Sequence, residues 1–388
     1  MVSLGWLPVL ENGYLITLKK EKASITLEPG GQIELSGTPL KNIHKIEYEI
    51  KKYHKDIKLI LQKLNLITVP LGTSFFNSKY QWLPKTRYKL MKEYIIQCEN
   101  NGLNMMYNTI STQINLDYIS EQDMAKKLRI AFKLQPIILA IFANSPFTSN
   151  GISKKQSQRN YYWAHTDPAR CGLISEIFHK SFNFESYIDY ALKIPMYFIK
   201  RGNNYLDTRG QSFKDFIQGR LPSYPGLLPT TQDWSEHLST IFTEVRLKKY
   251  IEMRIADGGN KEHILALSAL WTGIFYNENT LNFCDDLTKQ WTFNDIKNLI
   301  KDSRNNSFQA SIKGIKIIDI SKIIISQAIK SLQIRSVKNL KEDNETIYLN
   351  MLKWKIKKGT NSNTWKKYFI FNTNQNPKKL LVYSSKIL

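Results

Sequence analysis

Cysteine is nearly absent from this chain: three in 388 residues, Cys98, Cys171 and Cys284, far apart and odd in number. That excludes a disulfide framework and a zinc site built on close cysteine pairs. It fits a reducing compartment, so a cytoplasmic location is expected. Long apolar runs are missing too. The longest, PIILAIFA at 136–143, is far too short to cross a bilayer, and the opening MVSLGWLPVLENG lacks the basic-then-apolar order of a secretory leader, so no membrane partner is expected. Acidic residues are scarce, 33 against 55 lysines and arginines, for a formal net charge of +22. A balance so basic raises nucleic acid as a partner. Yet the lysines are scattered among abundant Asn and Ile, as an AT-biased genome produces, and no RNA-recognition, zinc-finger or homeodomain pattern occurs, so nucleic-acid binding is a minor alternative. Repeats and low-complexity linkers are also lacking, while 42% hydrophobic residues are enough to build a core.

Two periodicities fill the rest. Helical spacing marks 44–64, 83–98, 121–145 with an interruption at Pro136, 233–242 and 263–276, and the Gly/Pro-rich stretch 219–229 marks an ordered loop. Period-two alternation marks strands. In SITLEPGGQIELSG (24–37) a three-residue loop at Pro29-Gly30-Gly31 pairs Glu28 with Gln32 and Thr26 with Glu34, so every polar residue falls on one face. Glu28 and Glu34 then share a space, which suits either a divalent cation or a solvated hairpin face. NTISTQINLDY (108–118) puts Gln113 and Asn115 on a polar face. TEVRLKKYIEMRIADGG (243–259) reads as one strand with Arg246, Lys248, Glu252 and Arg254 opposite an aliphatic back. Helices alternating with antiparallel strands make the class α+β. If these strands share a sheet, its face holds hard oxygen ligands for Mg²⁺ and cations for phosphate oxygens, the set that magnesium-nucleotide chemistry requires. A plain solvent-facing sheet is the alternative.

Those strings, with LPKTRY, FANSPF and PMYFI, resemble glutamate-cysteine ligase of the plant and proteobacterial type, among the glutamine-synthetase-like carboxylate-amine ligases. The likeness runs in order from about Gly5 to about Tyr276. It implies a six-stranded antiparallel sheet curled into a funnel with helices outside, and ATP-dependent joining of L-glutamate to L-cysteine by a monomer or homodimer. It further implies Glu28, Glu34 and Glu252 as Mg²⁺ ligands and Arg246, Lys248 and Arg254 as catalytic phosphate clamps. Gln113 and Asn115 would line the metal and phosphate region, and Arg159, Trp163 and Tyr197 would bind glutamate. Thr166, Asp167 and Arg170 match without separate roles. Asn144 and Ser145 either cap a helix or touch ligand, and His44, His237 and His263 read as structural.

The resemblance has edges. Members carry an upstream strand with two further glutamates, and Met1 falls just after that point. Residues 1–300 are thus read as an N-terminally incomplete catalytic domain. Residues 301–388 are read as a helical segment whose basic tail diverges from about 339, as a shifted reading frame would produce. A non-catalytic remnant, one half of a split enzyme and a sister ligase for another amine are the competing readings.

Overall fold

A computed structural model describes residues 1–388 apart from 77–82, 100, 203, 374, 377–378 and 381–388. Its strands gather into small sheets instead of one large one. The first is an antiparallel meander of β1 (Leu7–Glu11), β2 (Tyr14–Lys20), β3 (Ala23–Leu27) and β4 (Ile33–Ser36), in that spatial order. Between β3 and β4, Thr26 lies opposite Glu34, and the Glu28 N–H donates to the Gln32 carbonyl at 2.9 Å. Gly31 takes the left-handed conformation (φ +78°) that a three-residue loop asks of one residue. The register read from polar parity is therefore the one that forms.

The second sheet corrects an expectation. Residues 243–259 are not one strand: Val245–Leu247 and Ile251–Met253 form an antiparallel hairpin, with Arg246 opposite Glu252. β5 (Ile114–Leu116) pairs with the other side of Ile251–Met253, placing Asn115 opposite Glu252. A loop of three residues, 248–250, preserves parity through the turn, so a straight strand and this hairpin carry the same alternation. Among the described residues, four two-stranded ribbons make up the remaining strands and no six-stranded sheet joins the two.

Helices enclose these sheets. α1 (Ile43–Lys63) begins at Asn42, whose side chain accepts the Lys45 N–H; α2 (Thr86–Cys98) and α3 (Gly102–Asn108) follow. α4 (Glu121–Ile141) runs straight through Pro136, against expectation. A proline there forfeits one backbone bond, on the order of 3 kcal/mol. Every residue from Ile130 to Ile141 is buried, however, and that packing outweighs the loss. α5 (Gln158–Ala164), α6 (Phe184–Lys193), α7 (Phe213–Ile217) and α8 (Thr231–Leu238) come next. They lead into α9 (Lys261–Phe275), α10 (Glu278–Thr288), α11 (Phe293–Asn306) and α12 (Ile317–Arg335), which pack with α4 in the largest core. That core extends from Ile43 to Leu352 with no break at residue 300.

Beyond residue 339 the chain does not trail away. It forms α13 (Asn350–Lys358) and α14 (Asn361–Asn372). Trp365 and Phe369 pack with Leu71, Phe75 and Phe147, the Trp365 indole N–H donates to Asn144 Oδ1 at 3.0 Å, and the buried Lys355 donates to the Ile141 carbonyl at 3.1 Å. The last stretch of the expected basic tail, 381–388, lies outside the described residues.

Candidate active site

The hairpin at 245–253 concentrates charge. Glu252 is buried, and its Oε2 accepts from Arg246 Nε at 2.7 Å and Arg254 Nη1 at 3.0 Å, while Oε1 accepts from Lys248 Nζ at 3.3 Å. Burial by itself would raise this carboxyl's pKa; Arg254, Arg246 and Lys248 outweigh burial and hold it at about 2. Three cations thus converge on one carboxylate, and Arg254 also acts on Glu34 and Glu244. The three cations differ in freedom. Arg246 also donates to the Ser239 and Ile241 carbonyls, at 3.1 and 3.0 Å, and is buried. Arg254 donates to Gln113 Oε1 at 3.0 Å, which ties β5 to the hairpin. Lys248 is the most open, with 31% of its side chain exposed.

Glu28 and Glu34 act in the same space from the other sheet. Solvent reaches Glu34, yet the surrounding protein desolvates it enough to raise its pKa; Glu28 adds to that, Arg254 opposes it and Glu252 reinforces it. The four-stranded sheet and the hairpin therefore bring these charges within electrostatic reach of one another without sharing a ladder. Glu28 itself accepts from the Tyr88 hydroxyl at 2.9 Å and the Thr26 hydroxyl at 3.1 Å. The expected trio of metal ligands is not brought together: among the described residues no three acidic, histidine or cysteine side chains converge to hold an ion. Glu252 is the member that departs, because three cations occupy three of its four carboxylate lone pairs. Glu28 and Glu34, two carboxylates that repel one another, keep the chemistry of a hard divalent-cation pair.

The three residues expected to bind glutamate have a feature in common. Arg159 and Trp163 stand one turn apart on α5, and the indole centroid lies 5.8 Å from the Arg159 guanidinium and 5.7 Å from that of Arg254. Arg159 does carry a structural duty: it is buried and donates to the carbonyls of Ile255 and Arg254, at 3.0 and 2.9 Å. Tyr197 is buried with its ring 3.8 Å from the Arg170 guanidinium, and burial pushes its hydroxyl's pKa well up. Each of the three retains a buried donor with no partner: Arg159 Nε, Trp163 Nε1 and the Tyr197 hydroxyl. Arg170 is held by Asp167 and by the carbonyls of Pro195 and Thr240, and the Thr166 hydroxyl donates to the Tyr162 carbonyl, so these are bracing contacts.

Sequence reading passes over two carboxylates. Asp257, fully buried, accepts from the Asn144 N–H and the hydroxyls of Ser145 and Ser157 at 2.7, 2.7 and 2.9 Å, which settles Asn144 and Ser145 as scaffold. Glu244 accepts from Asn160 at 3.0 Å, among Arg159, Arg254 and Arg304. Both stand inside the 243–259 string: Glu244 shares the parity of Arg246, Lys248, Glu252 and Arg254, and Asp257 that of the aliphatic back, where an acidic residue is the available signal. The histidines are structural, as their helical surroundings suggest. His237 donates to the Ala191 carbonyl, with burial lowering its pKa to about 4, His263 donates to the Asp257 carbonyl, and His44 bonds the Tyr348 hydroxyl.

Residues 9–379 match the sequence profile of glutamate-cysteine ligase family 2. Among curated relatives, chloroplastic glutamate-cysteine ligase B of Oryza sativa subsp. japonica is 40% identical over 337 residues, 86% of this chain and 68% of that protein. The chloroplastic ligase of Medicago truncatula is 44% identical over 292 residues, 74% of this chain and 57% of that protein. That of Solanum lycopersicum is 39% identical over 361 residues, 91% of this chain and 67% of that protein. The chain thus spans 57 to 68% of the length of these relatives. All three are chloroplastic by name, which overturns the cytoplasmic expectation. Scarce cysteine asks only for a reducing compartment, and so it does not distinguish the cytosol from a reducing organelle.

Proposed function

The chain belongs to glutamate-cysteine ligase family 2, and we propose that it joins the γ-carboxylate of L-glutamate to the amine of L-cysteine at the expense of ATP, the first step of glutathione synthesis. The observation that carries this reading is the convergence of three cations on Glu252, with the carboxylate pair Glu28 and Glu34 within electrostatic reach. A carboxylate is a poor acyl donor. One of its oxygens therefore takes the γ-phosphoryl group of ATP, releasing ADP; the amine nitrogen then attacks the acyl carbon and the C–O bond to phosphate breaks.

Lys248 and Arg254 then receive phosphate oxygens, and Arg246, through its carbonyl bonds, fixes Glu252 so that the other two cations stay spread. Gln113 orients Arg254, and Asn115 sits beside them on β5. Glu28 and Glu34 would hold Mg²⁺, which when bound neutralises charge on the phosphates. The free donors of Arg159, Trp163 and Tyr197 suit the oxygens of glutamate, since a buried donor left unpaired costs about 1–3 kcal/mol. The two sheets would form facing walls of one funnel, with residues 1–300 as its catalytic unit and 301–388 bracing it from behind.

The test is ADP and phosphate release by the purified chain with ATP, Mg²⁺ and glutamate, with and without cysteine. Cysteine-dependent release is expected. Release indifferent to both amino acids, or none at all, rules the reading out for this chain.

A further inference from the structure

The residues of the LPKTRY string lead up to the carboxylate pair. Lys85, just ahead of α2, is buried and donates from Nζ to the Leu27 carbonyl at 2.8 Å and to the Tyr88 hydroxyl at 3.3 Å. The Thr86 N–H donates to Glu11 Oε1 at 2.9 Å, so the start of α2 is fastened to β1 and β3 together. An ammonium has only donors. The Tyr88 oxygen must therefore accept from Lys85, which leaves its single proton for Glu28 Oε2, 2.9 Å away. The Thr26 hydroxyl, on the same face of β3, donates to Glu28 Oε1 at 3.1 Å. Each carboxylate oxygen is thus held by one donor and keeps a free lone pair. Fixed orientation with spare lone pairs is what a hard cation asks of an oxygen ligand, and the groups that hold a ligand commonly govern its affinity.

We propose that Tyr88, oriented by Lys85, and Thr26 are positioning residues that set the divalent-cation affinity of the Glu28–Glu34 pair. The proposal rests on reading that pair as the cation site. Both hydroxyls act through Glu28.

The experiment is direct titration of Mn²⁺, followed by the paramagnetic resonance of the free ion and without nucleotide, on the parent chain, Glu28→Gln, Tyr88→Phe and Thr26→Val. Tyr88→Phe keeps the buried ring, and Thr26→Val keeps the branched strand residue. The expected result is binding by the parent, loss in Glu28→Gln, and an affinity reduced about 10- to 100-fold in Tyr88→Phe and by roughly tenfold in Thr26→Val. A purely structural role would lower the melting temperature and leave the Mn²⁺ affinity unchanged. If Glu28→Gln loses Mn²⁺ while both hydroxyl variants bind it like the parent, the proposal is wrong and the cation reading stands. If the parent binds no Mn²⁺, or Glu28→Gln binds as well as the parent, the cation reading falls and takes the proposal with it. Should Tyr88→Phe fail to fold, the Mn²⁺ affinity of Thr26→Val decides between the same two outcomes.

Discussion

Two buried carboxylates five residues apart, Glu252 and Asp257, live by opposite means. Glu252 is held by three cations and its pKa is driven down to about 2. Asp257 is held by two hydroxyls and a backbone N–H, with one guanidinium 3.9 Å away, and burial raises its pKa. The first arrangement gathers three cations on one anion; the second has a single guanidinium near its anion. Burial marks both equally, so burial does not identify a ligand site. Clustered like charge is the better mark, because the mutual repulsion of the cations is relieved by a bound anion.

Breaking the charge cluster from either side should upset this contrast most severely. Arg254→Ala, and likewise Glu252→Gln, is expected to cut ADP formation by on the order of 10³-fold while the chain stays folded, since preorganised charge is lost where it is used. Assays of ADP release beside circular dichroism check both halves; normal turnover in either variant would undo the assignment of the hairpin. Asp257→Asn should do the reverse. It is expected to cost about 3–5 kcal/mol of stability, as breaking a buried charged network does, with turnover per folded molecule within tenfold of the parent. Urea unfolding and active-site titration measure the two quantities.

Acid separates the buried groups by a second route. His237 has a folded-state pKa of about 4 against an ordinary 6.5, so the unfolded chain binds its proton first. Stability should therefore be full above pH 6.5 and decline by up to about 3 kcal/mol as pH falls to 4, and His237→Gln should flatten that slope. Glu252 works lower down: its contribution is present above pH 4.5 and is lost only as pH falls towards 2. Denaturant midpoints at half-unit steps of pH separate the windows. The smallest effect expected is at the unpaired donors. Trp163→Phe and Tyr197→Phe each remove one, and each should raise the glutamate KM about 3- to 10-fold with little change in melting temperature.

Local features are legible in the sequence, and long-range ones are not. The β3–β4 register follows from six polar residues and a Pro-Gly-Gly turn, all within 24–37. The 245–253 hairpin escapes the pattern because an odd loop preserves parity, so no alternation can distinguish it from a strand. Pro136 misleads for a different reason: its helix is sustained by packing on every side, which propensity does not register. Arg159 matches the family pattern, but its bonds to carbonyls 95 and 96 residues later in the chain leave no trace in its neighbours. The same is true of the tail, where Trp365 and Phe369 find their partners near residues 71, 75 and 147.

If the cations clustered around Glu252 receive the phosphates of ATP, nucleotide affinity must depend on them and not on the network at Asp257. Equilibrium dialysis of ATP against the parent, Arg254→Gln and Asp257→Asn measures that dependence. At least a tenfold weaker affinity is expected in Arg254→Gln, with a parent-like value in folded Asp257→Asn. Equal ATP affinity in the parent and Arg254→Gln would contradict the assignment of the phosphates to this hairpin.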